Sequence, residues 1–478
     1  MSDFVSLPPL VSDRAQRRSL TCRRRSRVTA PAAFAVLLLA GGCGTAPPAP
    51  STPVPQMPAL PSWSEQMRVR ESWLPTRHAL MLEMMRRHDI DMWIIVNEEF
   101  HNDPITQYIA PPRPYSGNRD SFVFVDAGQD GLKKYAITGF PQEQVRRHFE
   151  SPRDPVPATT RLPELYAQYT PARIGLNMGG RKGVQRSLTH DSYLFLEQTL
   201  GPEAASRFVS AADLLEEFFE TRIPEELEYY RVHVEATDVL ARRALSNEVI
   251  TPGRTTVGEV RNWLYDEIGK IGAGAWFQPN FRIYERGVEP ELSRGFPIPA
   301  DESKVIERGQ VVHLDLGITR MGFDTDWQKN AYVLREGETD APEGLKRALA
   351  NTNALQDALI LRAARPGRTA GEVTAQAMEE MSGKGFEPRI YSHPIGAQGH
   401  GLGTSLGYGF RADSKGDPAT MTKRLRHGSY ISIELCSVTA IPEWDGQQVI
   451  IGLEDPAHLT DEGYQFFVPR QEAFYLIR

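Results

Sequence analysis

Residues 313–326 read HLDLGITRMGFDTD. An apolar, strand-like run from Val311 reaches Gly317, yet the stretch spends three aspartates and a histidine. Asp315 lies inside the run, and Asp326 follows eleven residues later, past MGFDT, which reads as a hairpin connection. Two carboxylates on paired strands can converge on one point. The stretch alone leaves two readings open: a metal site, or a solvated hairpin turn.

The sequence downstream bears on that choice. SHPIGAQGHGLG, 392–403, carries His393 and His400 seven residues apart among glycines that let a backbone approach a ligand closely. No Gly-Lys-Ser/Thr follows, so the phosphate-cradle pattern is absent. Taken alone, a surface loop with incidental histidines reads equally well. Glu434 in YISIELCSV and Glu454 in VIIGLED sit in apolar, strand-like runs that contain no Arg or Lys. A buried carboxylate needs a partner, and a metal ion would serve both.

The order Asp, Asp, His, Glu, Glu is more specific than any of its parts. With it the chain resembles the pita-bread metallopeptidases: methionine aminopeptidase, aminopeptidase P, prolidase and the metal-free creatinase. Asp315 and Asp326 match the family's two aspartates at the same interval, His393 its ligand histidine and His400 its second histidine. Glu434 in SIEL and Glu454 in GLED match its two glutamates. The resemblance covers about 222–478. Residues 64–215 are similar in size and α/β pattern to the amino-terminal domain of the aminopeptidase P and prolidase branch. It implies an α+β chain with a smaller α/β domain before a pita-bread domain. It also implies two divalent ions held by Asp315, Asp326, His393, Glu434 and Glu454, with Asp326 and Glu454 bridging. These donors suit Mn²⁺ foremost, with Co²⁺, Zn²⁺ or Fe²⁺ as alternatives. A water held between the ions would attack the carbonyl of a short peptide. Glu434 would shuttle the proton, and His400 would bind the carbonyl oxygen. A homodimer is implied by the same analogy.

The chain departs from the family pattern in four places. Gly295–Lys304 lacks a histidine expected before the first aspartate. Arg389 replaces a histidine, Gly452 replaces an arginine, and Gln328-Lys329-Asn330 replaces Thr-Arg-Thr. Hydrolysis is therefore better supported than prolyl specificity. Arg389 reads either as a partner for a substrate carboxylate or as a structural ion pair. Strand alternation places His313 on the face of Asp315, as a substrate contact or as a hydrogen-bonded core histidine. Asp324 is most simply a solvated turn residue. WFQPNFRIYERG, Trp276–Gly287, offers aromatics for a pocket wall or for the core. Two other functions share the fold: hydrolysis of a small non-peptide amide, and binding without turnover.

Further out, the pattern is α/β. Helical spacing covers Trp63–Arg87, and strands are expected at DMWIIVN, SFVFVDAG, YAITGF and ARIGLNM. A long helix should precede Pro252, another should start at Val257, and a helical pair should cover 343–384. At 478 residues, two domains are expected, at 63–215 and 216–478.

Residues 1–42 read as a signal peptide: an arginine-rich start, then AAFAVLLLA, too short to span a bilayer. LAGGC resembles a lipoprotein cleavage site, so Cys43 is the candidate lipidation site. The Pro/Ala-rich segment 43–62 reads as a tether. The expected location is the cell envelope or periplasm, with membrane contact only through the lipid. The segment 1–42 holds seven Arg and two Asp; removing its net +5 takes the chain from −7 to −12. The folded part has no basic block, so nothing points to nucleic acid as a partner. Of three cysteines, only Cys436 lies in the folded part, which excludes an internal disulfide there.

Overall fold

The computed structural model describes residues 56–478 except 114, 116–118, 141, 410 and 412–413. The signal segment and Cys43 lie outside the described residues. No described helix is long and apolar enough to cross a membrane.

The helical spacing from Trp63 resolves into two helices, α1 (Trp63–Ser72) and α2 (Leu74–Arg87), because Pro75 opens a new first turn. Strands β1 (Met92–Glu98), β2 (Arg119–Asp126) and β3 (Leu132–Ile137) follow, then α3 (Ala158–Tyr169), β4 (Ile174–Leu176), α4 (His190–Ala205), β5 (Phe208–Ser210) and α5 (Ala212–Glu220). The sheet runs β3-β2-β1-β4-β5, antiparallel through β1 and parallel beyond it. Strand β1 is apolar on both faces and buried along almost its whole length, as expected for a central strand covered by helices on both sides. Residue 215, the boundary expected between the two domains, lies inside α5, whose Phe218 and Phe219 pack with residues of the first sheet.

The second domain opens with α6 (Leu227–Ala244) and α7 (Val257–Lys270). Helix α7 starts in a reciprocal cap: Thr256 Oγ1 accepts from Glu259 N at 3.2 Å and Glu259 Oε2 accepts from Thr256 N at 2.8 Å. Strands β6 (Asn280–Tyr284), β7 (Val311–Leu316) and β8 (Trp327–Val333) come next. They are followed by α8 (Glu343–Asp357), α9 (Ala370–Met381), β9 (Glu387–Ile390), β10 (His393–Pro394), β11 (Tyr430–Ile441), β12 (Gln447–Thr460), β13 (Gly463–Phe466) and β14 (Tyr475–Ile477). The main path of this sheet is β9-β11-β12-β8-β7-β6. Strand β10 joins β11, β13 joins β12, and β14 joins β8. The antiparallel pair β11–β12 runs from Tyr430↔His458 to Ile441↔Gln447, and sets Glu434 directly opposite Glu454.

The opening stretch is more elaborate than a simple hairpin. The chain leaves the main sheet at Gly317, forms a small hairpin of Ile318–Arg320 with Phe323–Asp324, and rejoins the sheet at Trp327. Met321 and Gly322 both have positive φ (58° and 74°), the geometry of a tight two-residue hairpin turn.

The two domains are stitched beside this turn. The Tyr108 hydroxyl lies 2.8 Å from Gly322 O and 2.9 Å from Ala397 O, so an amino-terminal side chain binds both the hairpin tip and the glycine-rich loop. Ala397 and Leu402 of that loop pack into the core that holds Phe218 and Phe219.

Candidate metal centre

The register of four strands gathers the charged residues on one face of the sheet. Strand β7 supplies Asp315, opposite Gln328, and Asp326 immediately precedes β8. Strand β10 supplies His393, opposite Ser432; β11 and β12 supply Glu434 and Glu454. Three groups have ligand atoms within 4.8 Å of one another: Asp315, Asp326 and Glu454; His393, Glu434 and Glu454; Asp326, His393 and His400. His393 Nε2 lies 3.2 Å from Glu454 Oε1 and 3.6 Å from both Asp326 Oδ2 and Glu434 Oε2.

Electrostatics favours a cation among these groups. Burial first, and the neighbouring carboxylates second, hold Asp326 and Glu434 well above the usual carboxylate range. Burial pushes Asp315 up to about 6, even though Arg282 Nη1 lies 3.1 Å from its Oδ2. His393 has Nδ1 3.1 Å from Pro394 O. In the tautomer that donates this bond, Nε2 is a lone pair aimed among carboxylate oxygens. That arrangement suits a metal ligand, whose second ring nitrogen usually donates to a carbonyl. Carboxylates and an imidazole within one small sphere form a donor set for hard or borderline divalent ions, so the residues fit the metal that the sequence pattern implies.

His400 borders both the cluster and a cavity. A cavity of about 630 Å³ is lined by His400, Trp276, Asp324, Tyr108 and Lys182, among others. The His400 ring is exposed, 4.7 Å from that of His393 and 5.1 Å from that of Trp276 between centroids. Trp276 is a pocket wall, held by its Nε1 donating to Thr325 O at 2.7 Å. Two glycines make room for it. A Cβ at Gly317 would stand 2.1 Å from Trp276 Nε1, and one at Gly399 would stand 2.2 Å from its Cζ2.

One residue sits differently from its simplest expectation, and two others each take one of the two forms expected of them. Asp324 is not a solvated turn residue: it accepts from Thr319 Oγ1 at 2.5 Å and from Gly399 N at 2.8 Å. It thereby ties the small hairpin to the glycine-rich loop, and burial raises it to about 6. His313 is the hydrogen-bonded core histidine, wholly buried with Nε2 3.1 Å from Gln328 Oε1; burial lowers it to about 3. Arg389 takes the structural reading, an ion pair with Nε 2.7 Å from Glu387 Oε1, and its Nη1 lies 2.5 Å from Gly295 O.

Three other residues bear on the site and have no local sequence pattern. Arg282 reaches Asp315 from the neighbouring strand. Gln328 Nε2 lies 2.5 Å from Glu434 Oε1 and 2.9 Å from Glu454 Oε2. Lys329, buried on the opposite face, donates to Asp455 Oδ1 at 2.6 Å and to Glu454 O at 3.0 Å, which fixes the strand that carries Glu454.

Residues 228–461 match the model of metallopeptidase family M24. The carboxy-terminal domain matches that family's model, which makes the chain a metallopeptidase. The fold is that of three solved structures, all at low identity. X-Pro aminopeptidase from Thermotoga maritima has a TM-score of 0.60 and 17% identity, over 82% of this chain and 99% of that one. Xaa-Pro dipeptidase from Bacillus anthracis has a TM-score of 0.58 and 17% identity, over 86% and 99%. Dipeptidase PepE from Mycobacterium ulcerans has a TM-score of 0.57 and 16% identity, over 85% and 98%. No curated protein matches the sequence.

Proposed function

We propose that this metallopeptidase is exported and cleaves short peptides with two divalent ions, Mn²⁺ foremost, held by Asp315, Asp326, His393, Glu434 and Glu454. The gathering of these five side chains into overlapping groups, whose ligand atoms lie within 4.8 Å of one another, carries the reading. The structural neighbours support a short peptide as substrate, since their names are those of an X-Pro aminopeptidase and of dipeptidases.

Bound there, divalent ions would supply Lewis acidity, which makes water acidic enough to deprotonate near neutral pH and polarises a carbonyl. The protein's own residues do the rest. Glu434 has Oε1 on Gln328 and Oε2 on the His393 side. It accepts the proton of the attacking water and passes it to the leaving amine. His400, exposed on the cavity wall, donates to the substrate carbonyl oxygen and to the charge that develops on it. Trp276 bounds the substrate on one side and limits water beside the reacting bond.

The signal-like start and Cys43 support an envelope location with a lipid tether. The replacements at Gln328, Lys329, Asn330, Arg389 and Gly452 support a substrate preference that differs from strict Xaa-Pro cleavage. The test is a peptide panel on chelator-treated protein with and without Mn²⁺: Xaa-Pro dipeptides, other dipeptides and their carboxy-terminal amides, with a non-peptide amide as control. Metal-restored cleavage of at least one dipeptide class is expected. Turnover of the non-peptide amide alone, or none at all, would contradict the proposal.

A further inference from the structure

Behind the carboxylates lies a polar unit made of residues from three strands. Gln328 and Asn330 belong to β8, His313 to β7 and Gly452 to β12. Pairing sets Gln328 between Asp315 and Glu454, and His313 opposite Asn330. All three side chains are buried, with relative exposures of 2% or less.

The hydrogen-bond chemistry allows one arrangement. A carboxamide nitrogen has two protons to give, and here each goes to a different glutamate: Glu434 Oε1 at 2.5 Å and Glu454 Oε2 at 2.9 Å. Turning the amide over would set its oxygen against both carboxylates. Gln328 Oε1 therefore faces His313 Nε2 at 3.1 Å, and His313 is the donor. A threonine hydroxyl in this place has one proton and could serve only one glutamate. A lysine or arginine would serve both but would bring a charge that opposes a bound cation.

Gly452 admits the contact. A Cβ there would stand 2.9 Å from Gln328 Oε1, 3.1 Å from His313 Nε2 and 3.0 Å from Phe296 Cζ. Asn330 Nδ2 donates to Gly452 O at 2.8 Å and holds that backbone in place. The replacements at 328, 330 and 452 and the otherwise unexplained His313 thus form one packed unit.

We infer that Gln328, anchored by His313 across Gly452, is a positioning residue. It grips one oxygen of Glu434 and one of Glu454 and turns the other oxygen of each toward His393 to receive a divalent ion. The inference rests on the metal-binding reading above. It needs Gln328 to touch neither substrate nor ion.

The test is calorimetric titration of Mn²⁺ into metal-stripped wild type, Gln328→Met, Gly452→Ala and His313→Leu, with the visible spectrum of the Co²⁺-loaded forms as a report on ligand geometry. Gln328→Met keeps the length of the side chain and loses both donors. Its Mn²⁺ affinity should fall by about 10–100-fold, the usual effect of losing an outer-shell partner. Its Co²⁺ spectrum should change, while far-UV circular dichroism of its metal-free form should show an intact fold. Gly452→Ala and His313→Leu should weaken binding in the same direction. Wild-type affinity and spectrum in Gln328→Met would overturn the inference, as would an affinity loss that comes with loss of the fold. Wild-type affinity in both Gly452→Ala and His313→Leu would overturn the anchoring. Failure of wild type itself to bind metal would instead defeat the metal-binding reading.

Discussion

Glu454 and Asp455 are neighbours in the chain, are 1% and 0% exposed, and point to opposite faces of β12. Asp455 is fully provided for: Lys329 Nζ donates to Oδ1 at 2.6 Å and Gln356 Nε2 to Oδ2 at 2.9 Å. Asp103 in the amino-terminal domain is similar, with Asn177, Ser187 and the Ile105 amide as donors at 2.6, 2.7 and 3.1 Å. Glu454 faces Glu434, Asp326 and Asp315, and the four carboxylates share the Gln328 amide, the His393 imidazole, the Arg282 guanidinium and the Trp327 backbone N–H. A carboxylate buried for structure is given its own donors by the protein; here four carboxylates share few, and that shortage supports a cation site.

The contrast breaks most sharply under substitution. Asp326→Ala or His393→Ala should lower peptide turnover by about 1,000-fold, because the Lewis-acid contribution is several kcal/mol and about 4 kcal/mol corresponds to three decades. Far-UV circular dichroism should show an intact fold. Loss of the fold in both would contradict the division between the two faces.

On the other face, Asp455→Ala leaves Lys329 buried without a counter-charge and should cost about 3–5 kcal/mol of stability, read by urea unfolding. A stability change close to zero would erase the distinction between Asp455 and Glu454.

The legibility of the two faces in the sequence was uneven. Asp315, Asp326, His393, Glu434 and Glu454 stand out because order and interval survive in one dimension, and their strands are marked by apolar runs. The supporting contacts do not survive that projection. Asp324 resembled a turn residue because its partner, the Gly399 amide, lies 75 residues away. Gln328 gained its role only from a register that places it between two glutamates from other strands. Arg282 stood in a segment notable for its aromatics. His313 had the right alternation for the site, but alternation does not say what lies in front of a side chain, and here it is Gln328. In the amino-terminal domain, the strand at β1 was evident from its apolar run, whereas the end of α5 was not, since Phe218 and Phe219 continue a core that the sequence does not delimit.

A pH series sharpens the comparison more gently. Carboxylates raised by burial and mutual repulsion destabilise the fold once ionised. For Asp315, stability is fully present below the unfolded value of 3.8 and is lost as pH rises through about 6. The Tm gained on adding Mn²⁺ should therefore be larger at pH 7.5 than at pH 5. Comparing loaded and stripped protein at the same pH removes the opposing contribution of distant buried histidines such as His78, which burial lowers to about 3. A gain independent of pH would contradict a repulsion-limited site.

The smallest effect is expected at the wall. Gly399→Ala should push Trp276 aside, cost about 1–3 kcal/mol through overpacking, and raise KM for dipeptides more than it lowers kcat. An unchanged KM would remove Trp276 from the substrate path.

The most direct measurement of the central claim is metal content after equilibrium dialysis of purified protein against Mn²⁺, by elemental analysis, beside a Glu454→Gln variant. The account predicts two equivalents in wild type and fewer than one in the variant. Wild-type protein that retained no Mn²⁺, or a variant that retained as much as wild type, would contradict it.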